Sequence, residues 1–202
     1  MRSSTVLVTI TLAAATLAAP AGLAQNAPSQ GRGTRLAEAP AGLQPAAKRA
    51  INVFDEFQSR LIGRMNKALT DGGPLNALSV YRDEASALTA ALGREHRMRI
   101  GRTSHKLRNP RNRAPEWAAP YVNAAAAADF SQSPTWVVPI GENVGVLAPL
   151  ETKEVCTLCH APAAQLPPEL LGAIRASFPG DQATGFTTGQ VRGWIWAEVP
   201  RR

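Results

Sequence analysis

The chain has 202 residues, 45% hydrophobic and 18% charged, with 22 Lys and Arg against 15 Asp and Glu for a formal net charge of +7. That length suffices for one well-packed core rather than a series of domains. Two cysteines exclude a disulfide-built scaffold, and the basic balance comes without a nucleic-acid-binding motif, so no nucleic acid is expected as a partner.

The first 24 residues read as a secretory signal. Arg2 supplies the basic start, residues 6–19 the apolar stretch, and Gly22-Leu23-Ala24 a small-x-Ala cleavage site. The apolar stretch is shorter than the roughly 20 residues a spanning helix needs, so the mature chain is expected in the periplasm without a membrane span. Residues 25–45, rich in Gln, Pro, Gly and Ala without periodicity, are expected to form a flexible leader, and residues 46–202 the folded domain.

In residues 46–69, Phe54, Phe57, Leu61, Met65 and Ala68 recur at three- and four-residue steps, which predicts one helix face. Asp71-Gly72-Gly73-Pro74 then stops that helix and starts another, on which Ala77, Leu78, Tyr81, Ala85, Leu88 and Leu92 share a stripe. A short strand is expected around Met98-Arg99-Ile100, a polar loop over 103–112 and an Ala-rich helix over 115–128. The period then changes. Residues 136–140 and 144–150 flank Gly141-Glu142-Asn143 as a hairpin, residues 168–178 form a helix, and residues 184–187 and 191–199 are expected to pair as strands.

Between the hairpin and that last helix stands Cys156-Thr157-Leu158-Cys159-His160, the CxxCH spacing of c-type heme attachment. Two thiols three positions apart can each add across a porphyrin vinyl group, and the adjacent imidazole then reaches the iron. A structural zinc site would need a fourth ligand beside Cys156, Cys159 and His160. A disulfide or a redox dithiol is the other use of this pair in an oxidising compartment.

Gly72-Gly73-Pro74 with Ala77-Leu78-Ser79-Val80, Gly101-Arg102-Thr103-Ser104 with Lys106-Leu107-Arg108-Asn109-Pro110, the CxxCH motif, and Ala183-Thr184-Gly185-Phe186 together resemble the Tll-type c-heme domain family over about residues 50–200. The resemblance implies an α+β, PAS-like antiparallel sheet with N-terminal helices packed against it and one covalent heme c. It places the thioether bonds at Cys156 and Cys159 and the proximal iron ligand at His160. Relatives commonly offer a cysteine as distal ligand where this chain has Tyr81. Tyr81 is therefore a possible distal ligand, as a phenolate; the position is otherwise open, or taken by His105 as the leading substitute, or by His96, Met65 or Met98. Arg102 and Arg108 are the candidates to meet the heme propionates.

These readings point to an exported mono-heme protein for redox or small-ligand sensing, or single-electron transfer, with a periplasmic redox or signalling protein as partner. The alternative is a heme enzyme with peroxidase-like activity at an open distal site.

Overall fold

The structure, a computed structural model, describes residues 32–124 and 128–202. The expected signal, residues 25–31 of the expected leader and residues 125–127 of the Ala-rich segment lie outside the described residues.

Folding begins before Ala46. Thr34–Arg35 forms a short strand, β1, Leu36–Glu38 makes a turn of 3-10 helix, and Ala39 is buried in the core. The expectation of a flexible leader up to residue 45 is thus corrected over its second half. Backbone pairing and burial of single apolar residues order this segment, and neither produces a periodic pattern.

α1, Gln44–Glu95, is two helical arms joined across a break. Gly73 sits at φ 70°, a region glycine alone enters without strain, and Pro74 opens the second arm. Asn76 Nδ2 donates to the Ala68 carbonyl at 3.1 Å, tying the start of the second arm to the end of the first. The pairs Glu56–His96, Arg60–Glu95 and Arg64–Glu84 hold the arms antiparallel. Both predicted stripes face inward: Phe54, Phe57 and Leu61 from the first arm meet Ala85, Leu88 and Leu92 from the second.

The sheet is antiparallel, in the order β1-β3-β4-β5-β2, with β2 at Arg99–Thr103, β3 at Trp136–Ile140, β4 at Asn143–Glu151 and β5 at Val191–Pro200. Side chains alternate as a pleated strand requires. Ile195, Ala197 and Val199 face α1, while Trp194 and Trp196 face a second cluster with Trp117, Val138 and Leu147. The Ala-rich segment supplies that second layer and is helical over Ala119–Ala124, named α2.

Residues 184–187 do not form a strand; β5 pairs with β4 and β2 instead. Those residues dock on a short helix, α3, at Glu154–His160. Gly185 N–H donates to the Ala161 carbonyl at 3.1 Å and Phe186 N–H to the His160 carbonyl at 2.9 Å, so their backbone groups are already spent. The last helix, α4 at Pro168–Ser177, packs Leu170 and Ile174 against Leu78 of α1. The architecture is α+β. Among the described residues no helix is long and apolar enough to cross a membrane.

Candidate functional site

A cavity of about 360 Å³ opens where the α1 arms, the end of β2, the following loop and α3 meet. Its wall is mostly apolar, with Phe57, Leu61, Met65 and Leu78 from α1. Cys156, Cys159 and His160 line it as well. Their spacing explains this: residues three and four apart share one helix face, and the neighbouring Val155 and Leu158 reach the same wall at its exposed edge.

α3 is fixed at both ends. Before it, Thr152 N–H donates to the Gln190 carbonyl at 2.8 Å and the Thr152 carbonyl accepts from Gly189 N–H at 2.9 Å. After it, Arg108 closes the C-terminal end. Nη2 of Arg108 donates to the Cys159 carbonyl at 2.7 Å and to the Ala183 carbonyl at 3.2 Å. Its Nε and Nη2 also reach the two oxygens of Asp181, at 3.0 and 3.3 Å, within a buried ion pair. Arg108 is thus a clamp between α3 and the 181–183 segment, with its Nε and Nη2 donors committed to protein acceptors.

His160 Nδ1 lies 2.7 Å from the Ala183 carbonyl. A carbonyl only accepts, so Nδ1 carries the proton and Nε2 keeps its lone pair. Burial, then the charges of Arg108 and Arg192, hold the imidazole well below its usual pKa range, outweighing the opposing hydrogen bond to Ala183. The ring is neutral at physiological pH. Phe186 stands edge-on to it, with ring centres 6.2 Å apart, and fixes its orientation.

The two thiols are not joined in a disulfide. Burial raises the Cys159 pKa, only partly offset by Arg108, and Cys156 raises it further.

Tyr81 also faces the cavity. Nη1 of Arg102 donates to its hydroxyl at 3.0 Å, and the Arg102 guanidinium lies 5.3 Å from the Tyr81 ring and 5.4 Å from the Phe57 ring. Burial opposes ionisation of the phenol. Arg102, Arg192 and Arg108, with the Arg102 hydrogen bond, more than compensate, so the pKa falls below that of a free tyrosine.

The structure therefore brings together Cys156, Cys159, His160, Tyr81, Arg102 and Arg108. It does not bring His105 into the wall. That imidazole packs edge-on against Phe186 and Trp194, with both ring nitrogens buried and unpartnered, and burial followed by the charge of Lys106 lowers its pKa. Of the other residues considered for the distal position, Met65 lines the cavity, Met98 is in the core, and His96 pairs with Glu56 at 3.0 Å.

Sequence reasoning missed Asp181 and Arg192. The nearby Ala183-Thr184-Gly185-Phe186 motif was the available sign of the first, since it belongs to the segment that wraps α3. Nothing in the local pattern marked the second.

Comparison with curated proteins finds no match. Among solved structures, the crystal structure of the cyanobacterial heme-protein Tll0287 is similar, with a TM-score of 0.58 at 16% identity over 75% of this chain and 92% of that one. At that identity the likeness is one of fold. The family model called Tll0287-like matches residues 40–200, a span that runs from just before α1 to the end of β5 and contains the whole cavity wall; this chain belongs to the Tll0287-like family.

Proposed function

We propose that this chain is an exported heme protein, with one heme bound covalently through Cys156 and Cys159 and His160 as proximal iron ligand. The observation that carries the reading is the setting of His160: Nδ1 is tied to the Ala183 carbonyl, the ring is neutral, and two thiols share its face of α3. Metal-bound histidines are held in this way, with the second nitrogen donating to a backbone carbonyl. The cavity lies in the size range of cofactor sites, its wall suits a flat apolar group, and its guanidiniums suit carboxylates. The solved heme protein of similar fold and the family match support the same cofactor.

When bound, heme supplies a one-electron iron couple and an axial position for a small ligand. The residues around it set which use prevails. Tyr81, held by Arg102, would be the oxygen donor that α1 offers to the iron, and a donor of that kind would favour the ferric state. Val155, Leu158 and Ile62, exposed at the cavity mouth, offer an apolar rim for a periplasmic redox or signalling partner. We therefore infer redox sensing or single-electron exchange. The peroxidase-like alternative loses its proposed distal imidazole, because His105 is not in the cavity wall.

The test is chemical. Protein purified from the periplasm is denatured and extracted with acidified acetone. Heme is expected to remain with the unfolded chain and to be released or absent in Cys156→Ser/Cys159→Ser. Periplasmic wild-type protein that yields heme-free chain would overturn the reading.

A further inference from the structure

β5 carries an irregularity beside the cavity. Leu150 of β4 pairs with Gly193 and the next residue, Glu151, with Val191, so Arg192 has no partner on β4. Such a bulge breaks the alternation of side chains. Val191 takes the place among Trp194, Leu147 and Trp117 that alternation would give Arg192, and the guanidinium turns to the α1 side and lines the cavity. Gly193 makes the close approach possible, since a Cβ there would lie 2.5 Å from the Thr103 carbonyl oxygen.

Arg102, from neighbouring β2, lines the same cavity, wedged between the Phe57 and Tyr81 rings. The Nε of each arginine is buried and without a hydrogen-bond partner, and no ion pair among the described residues includes either. Glu151 is the one carboxylate among the wall residues, and it pairs with neither. Arg108, by contrast, is neutralised by Asp181. Two partly buried guanidiniums without a counter-ion are costly unless an anion enters beside them.

We propose that Arg102 and Arg192 form a carboxylate cradle in the cavity wall. Its occupant is either a heme propionate, which rests on the function proposed above, or a small free carboxylate, which does not.

The experiment compares wild type, R192Q and R192K, each as purified. For the propionate source, resonance Raman bands of propionate bending shift in R192Q and the reduction potential falls. R192K, which keeps the charge and loses the planar fork, retains the potential and still shifts the band. For the free-anion source, acetate raises the melting temperature of wild type, and its affinity drops about tenfold in R192Q, the equivalent of one lost charged hydrogen bond. If R192Q does not fold, the Raman band and acetate response of R192K decide. Absence of both the band shift and the acetate response overturns the cradle. A wild-type protein lacking heme overturns the heme reading alone and leaves acetate to decide the cradle.

Discussion

Replacing Asp181 by alanine tests the clamp on which the cavity depends. Its carboxylate accepts from Arg108 Nε at 3.0 Å and from Ala183 N–H at 2.9 Å, and both side chains of the ion pair are 5% exposed. Removing one member of such a pair leaves a buried charge without its partner, which costs about 3–5 kcal/mol. For a domain of this size each kcal/mol moves the melting temperature by roughly 2–4 °C, so Asp181→Ala is expected to melt about 6–20 °C lower by circular dichroism. Arg108→Met/Asp181→Leu removes both charges. It keeps part of the loss, since the Cys159 and Ala183 carbonyls lose their donor, but its cost falls short of the summed single costs by about 0.5–3 kcal/mol. Additive single effects, or a fall of less than about 2 °C in Asp181→Ala, would refute the clamp.

Tyr81→Phe should abolish any tyrosinate-to-iron charge-transfer band in the ferric absorption spectrum; a spectrum matching wild type removes Tyr81 from the metal. Cys159→Ser alone should leave heme attached by one bond or none, read as a shifted hemochrome band in alkaline pyridine, and an unshifted band would count against its thioether. Gly193→Ala places a Cβ against the Thr103 carbonyl and should lower stability by about 1–3 kcal/mol in urea unfolding; neutrality would show that the two strands can separate locally.

Much of this molecule is legible in its sequence because packing repeats itself. The α1 stripes, the break at Gly72-Gly73 and the β3–β4 hairpin follow from periods of 3.6 and 2 and from the residues that interrupt them. Tyr81 could be placed on an inward face for the same reason. Thr184-Gly185-Phe186 misled because its composition suits a strand, whereas its backbone hydrogen bonds go to the end of α3. Arg192 was invisible for a related reason. Alternation from Trp194 sends it toward the Trp117 layer, and only the bulge, a property of pairing between strands, turns it to the cavity. The early ordering at Thr34 likewise depends on β3, a hundred residues later in the chain.

One electrostatic cause links the two candidate iron ligands. Burial is the first cause that disfavours the imidazolium form of His160, and Arg108 and Arg192 add to it; the same two, led by Arg102, favour the phenolate form of Tyr81 against the opposing effect of its burial. Binding a metal requires a deprotonated donor in both cases, so positive charge around the cavity lowers the cost of ligation at each. The same charge would ordinarily repel a cation. It is tolerable only if the incoming group brings anions of its own, and carboxylates beside Arg102 and Arg192 would do so while leaving the Arg108–Asp181 pair undisturbed. A bare divalent ion is therefore a poor fit for this cavity, and a metal carried in an acidic, apolar, planar ligand is a good one.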